Sequence, residues 1–95
     1  MSQNKAKLFG IFMTIAVVAD PVKYNAKIAE LEQHFAPYIE VIKPLIELTP
    51  DDVIDTLRAR FPEIDKELSS PLAPKVVSRI QEYLKKKGAN DGNLP

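Results

Sequence analysis

Eight prolines punctuate this chain of 95 residues and limit the length of its helices. Proline has a fixed φ and no N–H group, so it disrupts a helix interior but fits the first turn. Asp20-Pro21 and Thr49-Pro50 are good helix starts because Asp and Thr are favoured N-caps, and two acids that suit a helix N-terminus follow the second proline. Ser70-Pro71 offers a third start, although Pro74 is expected to delay the regular helix until Lys75. The prolines therefore predict several short helices.

Between the prolines, apolar residues recur at steps of three and four, as on one face of an α-helix. The first such seam is predicted to supply the core with Ile28, Leu31, Phe35, Ile42 and Leu45. A second seam follows Pro50 with Ile54, Leu57, Phe61, Ile64 and Leu68. A last amphipathic helix starts near Val76. We expect it to stop at Gly88, in a left-handed conformation, and to leave 89–95 as a flexible tail.

These patterns predict an all-α fold, with four to five short proline-delimited helices in a small bundle and a single domain over 1–88. An extended coiled coil is disfavoured, since Pro37 and Pro44 would break a straight rod. An α/β alternative stays open. Residues 8–18 and 38–42 are rich in β-branched side chains and would be the strands of one βαβ unit over 8–42. That unit is our second choice because a two-stranded parallel sheet is weak by itself.

Residues 8–19 carry no charge, which is unusual in a chain with 27% charged residues. As a helix this segment would be about 18 Å long, against a hydrocarbon core of about 30 Å, so a membrane span is disfavoured. A secretory signal is the other competing interpretation. We expect the segment to be buried against protein, and predict an interface formed by Leu8, Phe9, Ile11, Phe12, Ile15 and Val18.

Composition disfavours several functional classes. The 13 basic and 13 acidic residues balance, whereas nucleic-acid binders normally carry a basic excess. The chain has no cysteine and only one histidine, His34, so thiolate chemistry is excluded and imidazole chemistry would rest on one group. Asp51, Asp52 and Asp55 have the spacing of a magnesium-binding motif, but acids are expected anyway in the first turn of a helix. We expect no cofactor, no metal and no enzymatic activity.

The sequence thus favours a non-enzymatic structural or accessory subunit that docks through its apolar N-terminal segment. Its partner would be protein, either further copies of the chain or a larger complex, in the cytoplasm or within an assembled particle. One alternative is a small helical regulator that contacts nucleic acid through basic residues of the last helix, namely Lys75, Arg79, Lys85, Lys86 and Lys87. Another is an exported or membrane-associated helical protein.

Overall fold

Helices make up most of the residues that the structure describes. The structure, a computed structural model, describes the backbone of residues 2–92 and the side chains of residues 5–88. Within that part, six α-helices follow one another: α1 (Ser2–Val17), α2 (Pro21–His34), α3 (Ala36–Ile42), α4 (Pro50–Arg60), α5 (Asp65–Leu68) and α6 (Ala73–Gly92). Two 3₁₀ turns, Lys43–Leu45 and Pro62–Ile64, join α3 to the loop before α4 and α4 to α5.

The all-α prediction is confirmed, and the βαβ alternative over 8–42 is wrong. Both proposed strand segments lie in helices, α1 and α3. Their β-branched residues lower helix propensity only by tenths of a kcal/mol each. That loss is outweighed because the two helices can bury an apolar side without leaving strand edges unpaired.

The predicted N-caps form. The Asp20 carboxylate accepts a hydrogen bond from the N–H of Val22 at 3.0 Å, and Thr49 Oγ1 accepts one from the N–H of Asp52 at 3.2 Å. Ser70 Oγ accepts a hydrogen bond from the N–H of Leu72 at 3.1 Å, and α6 begins directly afterwards at Ala73. Pro74 lies in the first turn of α6. A backbone N–H at that position would have no intrahelical partner, so the absence of one in proline does not weaken the helix.

Two phenylalanines interrupt the predicted apolar seams. Phe35, with φ of −134°, separates α2 from α3, and Phe61, with φ of −132°, separates α4 from the following 3₁₀ turn. Each still donates its N–H at 2.7 Å to a leucine carbonyl four residues earlier, Leu31 or Leu57, so both helices end in the same way. A proline follows each within two residues and prevents the helix from running straight on.

The core draws on all the long helices. Its most deeply buried large side chains are Ile15, Ile28, Ile39, Ile42, Val53, Val76 and Val77. The first predicted seam is confirmed for Ile28, Leu31 and Ile42, whereas Phe35 and Leu45 pack only partly buried at the edge. Ile39, four residues after Phe35 and three before Ile42, is also fully buried.

The last helix does not end at the predicted stop. α6 continues through Gly88 to Gly92, and no glycine in the described residues has a positive φ. A glycine inside a helix loses only about 1 kcal/mol relative to alanine, so without a turn to make the backbone keeps its i→i−4 hydrogen bonds. Residues 89–92 of the predicted tail thus have helical backbone, and 93–95 lie outside the described residues.

Candidate functional site

The predicted interface residues separate into two groups. Four of them, Leu8, Ile11, Phe12 and Ile15, are buried in the core of the chain itself, where α1 packs against α2 and α6. In this fold they are not available to a partner, which corrects the sequence-based assignment for those four. Helical periodicity identified an apolar side of α1, but two helices of the same chain cover it. Val18 is half-buried, and Phe9 is 54% exposed.

The opposite side of α1 is also apolar. Phe9, Met13 and Val17 follow one another at steps of four, which places them in one row along the helix. Phe9 is 54% exposed and Val17 is 63% exposed, while Met13 is partly buried. Single exposed apolar residues are common on protein surfaces, but two in one row with a partly buried third between them mark a candidate interaction site.

Small residues lie beside this row. Ala6 and Gly10 are exposed, and a Cβ atom built at Gly10 would meet no other atom within 4 Å. Thr14 directs its hydroxyl back into the helix and donates to the Gly10 carbonyl at 2.8 Å. We call Ala6, Phe9, Gly10, Met13 and Val17 the outer α1 face. Of these residues, the sequence-based interface included only Phe9. The four-residue spacing of Phe9, Met13 and Val17 was the signal that could have identified the row.

Arg79, predicted as a possible phosphate ligand, instead completes the C-terminal end of α1. Its Nη1 donates to the carbonyl oxygens of Ile15 and Val18, both at 2.6 Å. Its guanidinium carbon also lies 3.9 Å from the ring centroid of Tyr24, a cation–π contact. These contacts use Nη1 and the flat face of the guanidinium, so Arg79 is held within the chain's own packing.

The other basic residues of α6 do not form one surface. Lys87 pairs with Glu32 of α2 at 2.9 Å, whereas Lys85 lies 4.0 Å from Glu47 in the loop before α4. Lys75 and Lys86 are exposed. Counter-charges from two different parts of the chain thus neutralise two of these lysines, which weakens the basis for a phosphate-binding face.

Glu32 also binds a tyrosine. The Tyr83 hydroxyl donates to the Glu32 carboxylate at 3.2 Å, next to the Lys87 contact. Burial, followed by the negative charge of Glu32 and this hydrogen bond, raises the pKa of Tyr83 above its ordinary value, although Lys87 opposes the shift. The hydroxyl therefore stays protonated at neutral pH, and the cluster ties α6 to α2.

The acidic motif and the histidine lie apart from any such cluster. Asp51, Asp52 and Asp55 are exposed on α4, and His34 is exposed in the last turn of α2. Among the residues that the structure describes, no three His, Cys, Asp or Glu side chains are grouped so that they could hold a metal ion. Within residues 2–92, no helix combines the length and hydropathy needed to cross a bilayer.

Comparison with protein-family models, with curated proteins and with solved structures gave no significant match. The outer α1 face therefore has to be interpreted from its own chemistry. It is uncharged, it contains an aromatic and a thioether side chain of the kinds enriched in protein interfaces, and it faces solvent.

Proposed function

We propose that this chain is a non-enzymatic accessory subunit that self-associates, with two copies packing through the outer α1 face. The observation that carries the proposal is the exposure of Phe9 (54%) and Val17 (63%) along one row of α1, with the partly buried Met13 between them. Burying such a row removes apolar surface from water, at about 25 cal/mol per Å².

The shape of the face suits a second copy of itself. The row of large residues forms a ridge, and Ala6 and Gly10 form a shallow groove beside it. Ridges and grooves along the i±4 rows of two helices interdigitate in the commonest class of helix packing. With a twofold axis near Met13, the helices are antiparallel, and Phe9 of each copy lies near Val17 of the other.

The charges at the two ends of α1 fit this arrangement. Lys5 and Lys7 lie near the start of the helix, Asp20 follows its end, and no charged residue lies between 8 and 19. An antiparallel pair brings Lys5 and Lys7 of one helix towards Asp20 of the other, whereas Arg79 already donates to two carbonyls at that end. The chain has no net charge, so long-range repulsion does not oppose the approach.

The area of the face sets the expected affinity. α1 has 16 residues, so it is about 24 Å long, and only one side of it takes part. That footprint is smaller than the roughly 800 Å² per partner of a standard stable interface. We therefore expect a weak dimer, with a dissociation constant on the order of tens to hundreds of micromolar.

Phe9→Asp tests the proposal. The wild-type chain should increase in weight-average mass as its concentration rises from about 10 µM to about 1 mM, measured by sedimentation equilibrium. Phe9→Asp should stay monomeric over that range, because a carboxylate would be desolvated in the interface. Its helical circular dichroism should be unchanged, since Phe9 already faces water. Phe12→Asp would not serve, because Phe12 is 7% exposed and the variant would damage the core.

Leu48→Asp is the matched control. Leu48 is 44% exposed and lies outside α1, in the loop before α4, so the substitution makes the same kind of change at a different surface. It should dimerise like the wild type. A wild-type chain that stays monomeric at the highest concentration, or a Phe9→Asp variant that dimerises equally well, would contradict the proposal.

A further inference from the structure

A small cavity lies inside the core, where the six described α-helices converge. Each of them contributes at least one side chain to its wall, and α6 contributes three, from Val76, Val77 and Ile80. The volume of the cavity is about 40 Å³, whereas about 10–15 Å³ is already enough for one water molecule. Protein interiors contain few voids of that size, so this one is an unusual feature of the packing. We call it the core cavity.

The wall of the core cavity is apolar. Tyr38 is the one lining residue that is more than 7% exposed, and the others are aliphatic apart from Phe12. The Tyr38 hydroxyl is engaged at the surface, because it donates to the Glu63 carboxylate at 3.4 Å. Within the part of the chain that the structure describes, no polar atom contributes surface to the wall. The cavity therefore offers neither a hydrogen-bond donor nor an acceptor.

Water and ions are poor occupants of such a space. A buried water molecule normally makes about three hydrogen bonds, and this wall supplies none. A charged group would lose its hydration without gaining a partner. A small apolar molecule has no such loss, and it gains dispersion contacts with the carbon atoms around it. The chemistry of the wall thus favours an uncharged, apolar occupant.

The volume limits the size of that occupant. An apolar cavity of about 150 Å³ in another protein binds benzene or xenon and stays free of water. The core cavity has roughly a quarter of that volume. It therefore suits a single xenon atom or a molecule of about two or three heavy atoms, and it is too small for an aromatic ring.

We propose that the core cavity is a binding site for one small apolar molecule, such as a dissolved nonpolar gas or a short hydrocarbon. α1 reaches this site through Leu8 and Phe12, which lie on its buried side. None of the residues of the outer α1 face lines the cavity. The site is therefore separate from self-association and does not depend on it.

Xenon is the probe that tests size and chemistry together. The full chain is equilibrated with xenon at increasing pressure, and the side-chain methyl groups are followed by NMR. We expect shifts that saturate, that are largest at Leu57, Val76, Val77 and Ile80, and that are absent at the exposed Val22. Methanol, which is small but polar, and benzene, which is apolar but larger, should cause no saturable shifts at the same methyl groups.

Val77→Ile fills the cavity. It adds one methyl group at a fully buried lining residue, so it should lose the saturable xenon shifts while it keeps its helical circular dichroism. Val76→Ile makes the same addition from the neighbouring lining residue and should act in the same way. Val22→Ile is the matched control, because it adds a methyl group at a residue that is 78% exposed, and it should bind xenon like the wild type.

The wild-type titration stands by itself if a filled variant does not fold. The absence of saturable shifts in the wild type, equal shifts with xenon and methanol, or equal xenon binding by the wild type and a folded Val77→Ile variant would each overturn the proposal. Phe9→Asp should bind xenon like the wild type, which separates the core cavity from the outer α1 face.

Discussion

Arg79 illustrates how one side chain can satisfy groups from distant parts of the chain. A helix end leaves its last carbonyl oxygens without intrahelical partners. Arg79 supplies donors to two of them at the end of α1, although it is 61 and 64 residues away along the chain. Hydrogen bonds from a charged donor are stronger than neutral ones, and the stacking on Tyr24 holds the guanidinium in place.

Arg79→Ala should lower the free energy of unfolding by roughly 2 kcal/mol, because it leaves two carbonyls without their donor and removes the cation–π contact. Arg79→Lys should have a free energy of unfolding between those of the wild type and Arg79→Ala, since an ammonium group lacks the planar fork of a guanidinium. Urea denaturation measures both. Lys75→Ala, one turn earlier on α6, is the control and should change stability by less than about 0.5 kcal/mol. Equal losses at the two positions would show that the Arg79 contacts add no stability.

Residue-level features differ in how far the sequence reveals them. The caps at Asp20 and Thr49 were predictable because an N-cap interacts with its own helix two or three residues on. The contacts of Arg79 were not predictable, since they depend on how α6 crosses α1. The sequence suggested that Arg79 was a cation available to a phosphate ligand. In the folded chain it caps the C-terminal end of α1.

At the scale of elements, α1 shows both the reach and the limit of periodicity. The uncharged segment 8–19 was expected to be buried against protein. The side of α1 that carries Leu8, Ile11, Phe12 and Ile15 is buried, against other helices of the same chain. Periodicity shows that a helix has an apolar side but does not show which chain will cover it. The same limit applies to Phe35 and Phe61, which the spacing placed within continuous seams although each follows a helix end in the structure.

Gly88 gives a test of the last helix. The helix passes through this residue and a Cβ there would contact nothing, so Gly88→Ala should stabilise the chain by about 0.5–1 kcal/mol. Thermal unfolding should then rise by a few degrees. Gly88→Asn should be nearly neutral. If the helix stopped at Gly88 in a left-handed turn, the order of stability would be reversed, and Gly88→Ala would be more destabilising than Gly88→Asn.

At the scale of the whole molecule, stability should depend on pH in the alkaline range. The folded state raises the pKa values of Tyr38 and Tyr83, so the unfolded chain loses these protons first as pH increases. The stabilisation is complete below the unfolded pKa of about 10 and is lost as pH rises through the higher folded values.

A Tyr38→Phe/Tyr83→Phe double variant should therefore lose less stability than the wild type between about pH 9 and pH 11. Urea midpoints measured across that range give the comparison. Near neutral pH, the stability of the two chains should change with pH to the same extent. Parallel curves would mean that the folded state does not favour the protonated tyrosines.

The arrangement of α6 against the rest of the molecule affects the order in which the protein can form. Arg79 occupies the end of α1, and Gln81 donates to the carbonyls of Leu45 and Leu48 at 3.1 and 2.8 Å, before α4 begins. A growing polypeptide that has not yet released residues 79–81 from the ribosome lacks both sets of donors. Until α6 is available, those carbonyl oxygens can bond only to water, so the packing at the end of α1 and before α4 is completed when α6 docks.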